Sequence, residues 1–233
     1  MSRTYFWFFS VLFICFISCS KNTTKKPVEK ASIYFDEMPS DSTGIYFSND
    51  LFHQDDLNII EFLYYYNGGG VALGDINNDG LDDIYFTSNQ TSDKLYLNQG
   101  NLKFKDITLE AGISTDSTWS TGVTMEDVNN DGHLDIYVSK VGNYKSMRTK
   151  NRLYINNGNT TFTEAAQSYG LDFSGFSTQA SFLDYDNDGD LDMYLLNHAV
   201  HTPRSYGDIG RRKIKDTLSG DRFFENKLNE GVN

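Results

Sequence analysis

The sequence predicts an all-β fold, a partial β-propeller of about three four-stranded blades, and three features predict it. An acidic loop with β-prone flanks occurs three times, its first Asp at positions 75, 127 and 184. A second hairpin signal follows each loop. Units of this length hold four short strands, the composition of a propeller blade.

Taken in chain order, the first element is an address. Arg3 precedes an apolar run from Tyr5 to Ser18 that ends at Cys19. As a helix the run would cover about 21 Å, short of a hydrocarbon core of roughly 30 Å. A charged start and a short apolar stretch describe a secretory signal, residues 1–18. Phe16-Ile17-Ser18-Cys19 resembles the bacterial lipobox, with Phe16 where Leu is usual; the resemblance implies lipidation of Cys19. An ordinary signal peptide with an incidental Cys is the alternative. Residues 19–31 are polar and basic, without apolar periodicity, and read as a tether from the membrane. Residues 32–65 contain Ile33, Phe35, Ile45, Phe47 and the Phe62–Tyr66 cluster, enough apolar content for a closing strand or a cap.

The repeats occupy residues 66–118, 119–175 and 176–233. Apolar residues alternate before each loop (Val71 and Leu73, Val123 and Met125, Ala180 and Phe182). A β-prone run follows it (Ile84-Tyr85-Phe86, Ile136-Tyr137-Val138, Met193-Tyr194-Leu195). Alternation on both sides of a tight loop predicts a hairpin. Leu95–Asn98 and Leu153–Asn156 then lead into Asn/Gly turns and a fourth strand, and Phe223–Asn226 takes the same role in the third unit, which ends before a fourth strand. The third unit also carries an insertion, 198–221, with Arg204, Arg211, Arg212, Lys213 and Lys215. It reads as a solvated excursion, or alternatively as a contact loop for an anionic partner.

The loops carry the chemistry. Counted from the first Asp, oxygen side chains fall at positions one, three, five and nine, with Gly at six: Asp75, Asn77, Asp79 and Asp83; Asp127, Asn129, Asp131 and Asp135; Asp184, Asp186, Asp188 and Asp192. Calcium takes six to eight oxygens, and Gly at six permits a turn that points the carbonyl of position seven inward, here Leu81, His133 or Asp190. An EF-hand needs Glu at position twelve and flanking helices; position twelve is Phe86, Val138 or Leu195 and the flanks are β. Dockerin-like repeats need helices, and thrombospondin-type repeats need Cys. An Asn-Asp-Gly hairpin turn alone does not require Asp at positions one and nine. Up to three Ca²⁺ ions are expected. The third loop, with four carboxylates, should bind most tightly, and Mg²⁺ fits less well because of its stricter octahedron.

The D-x-[ND]-x-D-G-x-x-D loop between strands resembles the FG-GAP/VCBS repeat, the blade of integrin-α-type propellers. Tyr66–Asp75 and the Leu-Tyr-x-Asn strands look like bacterial lipoproteins of the cartilage acidic protein and ASPIC/UnbV group. The resemblance spans roughly residues 60 to 230. It implies calcium on the loop positions just named. It also implies about seven blades and a further C-terminal domain, so this chain reads as a fragment, or alternatively as an open arc that needs a partner. Asp82, where the other copies have Leu134 and Leu191, departs from the pattern and is expected to face solvent.

Composition narrows the function. Twenty Lys and Arg against 32 Asp and Glu give a net charge of -12, which repels phosphate backbones and argues against nucleic acid. Both Cys, 15 and 19, lie near the N-terminus, leaving the body no disulfide framework. The expected function is a non-catalytic module on a lipid anchor in the bacterial envelope, binding an extracellular or envelope protein or glycan. A calcium-dependent hydrolase or lyase acting on polysaccharide is the alternative. Its candidate acid–base groups are His53, His133, His198 and His201, the last two close enough to touch one ligand.

Overall fold

The computed structural model describes residues 34–199 and 216–228. The signal region, the tether with Cys19, His201 and residues 200–215 of the basic insertion lie outside them. The chain divides into two units, Met1–Glu37 and Met38–Asn233. Of the first only residues 34–37 are described, without a regular element.

Three antiparallel sheets make up the body of the second unit. Val71–Gly74 (β1), Asp83–Phe86 (β2), Lys94–Asn98 (β3) and Phe104–Asp106 (β4) form the first, in sequential order. Ser120–Glu126 (β5), Asp135–Lys140 (β6), Arg152–Asn156 (β7) and Phe162–Glu164 (β8) repeat it. Ser177–Leu183 (β9), Asp192–Asn197 (β10) and Arg222–Phe224 (β11) form the third, which has three strands among the described residues. These are the blades of a partial β-propeller, with the acidic loop always between the first and second strand.

Register is equivalent from blade to blade. Gly74 pairs with Asp83, Glu126 with Asp135 and Leu183 with Asp192, so each loop starts and ends on a matched pair. Tyr85 faces Leu95, Tyr137 faces Leu153 and Tyr194 faces Phe223 across the second and third strands. A one-residue slip would turn every apolar side chain to the wrong face, which is why three copies keep one register.

The blades stack through apolar faces. Ile76, Tyr85 and Leu95 of the first blade pack with Val123, Met125, Ile136 and Val138 of the second. Val128, Tyr137 and Leu153 pack with Ala180, Met193 and Leu195 of the third. Each fully buried aliphatic side chain contributes roughly 1.5–3 kcal/mol relative to exposure. The innermost strands meet closely at Gly122 of β5. A Cβ there would overlap the Thr178 carbonyl and the Gln179 amide of β9, so only glycine lets these strands come together.

Residues 38–65, where the sequence suggests a closing strand or a cap, form no strand. They contain α1 (Ser40–Thr43), a single turn closed by Gly44 at φ 83°, followed by irregular chain and turns. Phe47 stacks on Phe86 at 4.8 Å, and Asn49 hydrogen-bonds with Ser88 and Asn89. Farther on, Leu57, Phe62 and Tyr65 bury themselves against Trp119, Val141, Met147 and Phe176. The segment thus packs along the first blade and then against residues that flank β5, β6 and β9.

Candidate metal centre

Each loop is wound by its own acidic side chains. Asp75 accepts the N–H groups of Asp79 (3.0 Å) and Gly80 (2.7 Å). Asp127 does the same for Asp131 (3.0 Å) and Gly132 (2.8 Å), and Asp184 for Asp188 and Gly189 (both 3.2 Å). The position-five carboxylates Asp79, Asp131 and Asp188 accept the N–H of Leu81, His133 and Asp190 at 2.9, 2.9 and 3.1 Å. Position four is left-handed throughout, with φ 59° at Asn78, 59° at Asn130 and 64° at Asn187, a conformation Asn tolerates better than most residues. The chain is thereby coiled so that alternate side chains share one side.

Position nine closes the loop from beneath. Asp83, Asp135 and Asp192 are buried. One oxygen of each accepts the N–H of position two: Ile76 at 3.0 Å, Val128 at 3.1 Å and Tyr185 at 3.1 Å. The other accepts the N–H of the Asn that ends or follows the third strand: Asn98 at 2.7 Å, Asn156 at 2.8 Å and Asn226 at 2.8 Å. These carboxylates therefore tie the loop to the strand beside it.

Electrostatics report how closely the oxygens converge. Burial raises the Asp135 carboxyl to about 6; the two N–H donors oppose the rise, and the charges of Asp131 and Asp127 add to it. Asp83 is raised by burial and by Asp79 and Asp75 in the same way. At Asp75 burial works against the charge, but the N–H groups of Gly80, Asp79, Asn77 and Asn78 outweigh it and hold the carboxyl below its ordinary range. Negative charge at Asp83 and Asp135 is costly without a counter-charge.

Position three separates the loops. Asn77 and Asn129 each donate Nδ2 to the position-five carboxylate, at 3.0 and 2.9 Å, which partly neutralises that oxygen from within. Asp186 cannot. Its carboxyl, though exposed, is raised by partial desolvation within the loop and by repulsion from Asp188, Asp192 and Asp184. Ligand oxygens of Asp184, Asp186 and Asp188 lie within 4.8 Å of one another, and all three residues are exposed. A cluster of hard oxygens carrying excess negative charge fits a hard divalent cation. Asp82, expected to face solvent, is exposed.

The described histidines make side-chain contacts near the loops, the third blade and the pre-blade segment. His133 lies with Nδ1 3.2 Å from Asn78 Nδ2 of the first loop. His198 packs against the rings of Tyr64 and Phe176, at 4.0 and 5.7 Å, with Nδ1 3.1 Å from the Thr178 hydroxyl. Burial pushes its imidazole down to about 4, so it is neutral at physiological pH. His53 Nε2 lies 3.1 Å from the Tyr66 hydroxyl.

Sequence reasoning missed two sets of Asn that join successive blades. Asn78 Nδ2 donates to the Gly132 carbonyl, and Asn130 Nδ2 to the Gly189 carbonyl, both at 3.1 Å, linking position four of one loop to position six of the next. In the return direction Asn156 Nδ2 donates to the Ile76 carbonyl (2.8 Å) and Asn226 Nδ2 to the Val128 carbonyl (3.3 Å). The signal was present, since Asn recurs at position four and at or just after the end of the third strand. Its partners are 54 to 98 residues away, and a repeat alone does not name them.

Stacked antiparallel blades, each with this acidic loop between its first two strands, define a class. The FG-GAP-like repeat family matches residues 75–138 and 141–195, more than half of the chain, and the chain belongs to it. Among individual proteins it is similar to cartilage acidic protein 1 of Xenopus tropicalis, 28% identical over 173 residues (72% of this chain, 25% of that protein). Cartilage acidic protein 1 of Mus musculus is 30% identical over 141 residues (59% and 21%), and that of Homo sapiens 29% over 143 residues (59% and 20%). The chain spans a quarter or less of the length of these relatives.

Proposed function

We propose that this chain is a calcium-binding propeller module of a secreted envelope lipoprotein, which binds a protein or glycan of the envelope or exterior without catalysis. The observation that carries the reading is the convergence of Asp184, Asp186 and Asp188 in a loop whose design recurs at 75–83 and 127–135. Asp75, Asn77, Asp79 and Asp83, with their equivalents in the later loops, would hold the cation. The carbonyls of Leu81, His133 and Asp190 would complete the set. Bound calcium supplies positive charge where the carboxylates repel; the residues themselves do the rest. Positions one and five hold the loop coiled, and position nine locks it to the third strand. The blades become stiff supports for whatever surface meets the partner.

Three contacts support a binding role over a catalytic one. His133, His198 and His53, the described candidates for acid–base work, are each engaged by a neighbouring Asn, Thr or Tyr side chain. Envelope anchoring rests on the Phe16–Cys19 resemblance to a lipobox. Labelled palmitate should enter the protein in a bacterial host, and Cys19→Ala should abolish incorporation.

Calorimetric titration of the chelator-stripped chain tests the metal. Heat should accompany calcium binding at up to three sites. Asp186→Asn should weaken the tightest site about tenfold or more, because it replaces one of four carboxylates with the amide found in the other loops. No calcium heat at millimolar concentration would overturn the calcium reading. An unchanged tightest site in Asp186→Asn would overturn the ranking.

A further inference from the structure

We propose that a cavity where the first strands of the three blades begin binds an uncharged sugar residue of a glycan. The proposal rests on the binding role inferred above, takes its glycan branch, and does not involve the cation. The cavity measures about 310 Å³, the lower end of the range for small-molecule sites. Gly68–Gly70 reach it just before β1, Thr121 and Gly122 at the start of β5, and Thr178 and Gln179 at the start of β9. The acidic loops leave from the other ends of these strands, so cavity and loops lie a strand length apart.

Charge is what the lining lacks. None of its twelve residues is Asp, Glu, Lys or Arg, although such residues make up 22% of the chain. A phosphate, sulfate or uronate would find no cation there, and a cationic ligand no carboxylate. His198 keeps to the same rule, because burial pushes its imidazole down to about 4 and leaves it neutral. Its Nδ1 lies 3.1 Å from the Thr178 hydroxyl, and its buried Nε2 has no partner among the described residues.

Two kinds of surface meet in the cavity. Rings supply the first: Phe62 and Trp119 are buried and pack edge to face at 5.3 Å, while Tyr64 and His198 are half-buried, 4.0 Å apart. Neutral hydrogen-bonding groups supply the second. The Asn67 amide and the Gly68 and Gly69 N–H groups are exposed and make no hydrogen bond among the described residues. Gln179 donates Nε2 to the Val123 carbonyl and the Thr124 hydroxyl and keeps Oε1 as an acceptor. A Cβ at Gly69 would overlap the Thr87 carbonyl, so bare backbone at this point is a condition of the packing. A sugar ring matches both surfaces, with apolar C–H faces for the aromatic wall and a rim of neutral hydroxyls that donate and accept.

Trp119 supplies the readout. The other Trp is Trp7 of the signal region, and Trp7→Phe leaves Trp119 the sole indole. Its fluorescence in the full chain is titrated with neutral oligosaccharides ending in glucose, galactose, mannose or N-acetylglucosamine. Uronate-containing and sulfated oligosaccharides, and cyclohexanol as an apolar probe, are run beside them. At least one neutral oligosaccharide should give a saturable change. Asn67→Ala removes an exposed amide with no partner in the protein, so it should leave folding intact and weaken binding about fivefold or more. Tyr64→Leu should weaken binding similarly by removing the ring. Tyr64→Phe, which loses only the hydroxyl bonded to the Ala199 carbonyl, should stay within about twofold. Unchanged affinity in both Asn67→Ala and Tyr64→Leu would overturn the proposal. So would tighter binding of cyclohexanol, or no response to any neutral oligosaccharide at millimolar concentration. Tighter binding of a charged oligosaccharide would overturn it too, while leaving the broader binding role in place.

Discussion

Lys140→Ala is expected to cost about 3–5 kcal/mol, as removal of one partner from a buried ion pair does. Lys140 lies on β6 and is 1% exposed. Its Nζ donates to the Thr118 and Ser120 hydroxyls at 2.7 and 2.6 Å and lies 3.5 Å from Asp93 Oδ2. Asp93, just before β3, accepts from the Ser88 N–H (2.8 Å), the Ser120 hydroxyl (2.9 Å) and the Tyr85 hydroxyl (3.2 Å). Burial pushes the Lys140 ammonium down and Asp93 pulls it back, while burial and the Asp93 charge drive the Tyr85 phenol far up. The pair joins the first blade to the second, so truncating Lys140 leaves a buried carboxylate with hydroxyl donors and no cation. The double variant Lys140→Met with Asp93→Asn removes both charges and should recover most of the loss. Urea unfolding of Lys140→Met, Asp93→Asn and the double variant gives the coupling. A loss below about 1 kcal/mol in Lys140→Ala would mean that the pair contributes no net stability.

Much of the fold was legible because the repeat supplied its own control. A single Asn-Asp-Gly could be any turn; three copies with Asp at positions one and nine required a common geometry. The hairpins and the shared register follow from alternation and Asn/Gly placement. Contacts between blades were less legible. Lys140 follows an apolar run and reads as an ordinary charged strand end, yet it is buried against Asp93 of the preceding blade; Asp93 lies 47 residues earlier, and no local pattern pairs them. Residues 38–65 have no second copy, so their apolar content indicated packing without indicating against what. The aromatic neighbours of His198, Tyr64 and Phe176, are remote in sequence, so no local pattern names them. At the acidic loops the sequence identified the residue types, while the division of labour between positions one, five and nine required the backbone.

That division makes Asp135→Ala the second large effect, with a signature distinct from loss of any exposed loop carboxylate. Asp135 is buried and accepts the N–H groups of Val128 and Asn156 on its two oxygens, at 3.1 and 2.8 Å. Without it, two buried donors lose their acceptor, at about 1–3 kcal/mol each. The expected loss is roughly 2–5 kcal/mol in the presence of chelator, before any cation is considered. Asp127 also accepts two N–H groups, but its hydrogen bonds are exposed and water can replace it. Asp127→Asn should therefore change stability in chelator by less than about 1 kcal/mol. Calcium at a hundred times the dissociation constant of one site adds about 2.7 kcal/mol to the folded state. Both variants should forfeit that increment for the second loop, and only Asp135→Ala should be weakened when calcium is absent. Urea unfolding with chelator and with millimolar calcium separates the two contributions. Equal stability of Asp135→Ala and the parent in chelator would mean that position nine serves the cation alone. Equal losses for both variants in chelator would mean that the loop is a structural turn at every position.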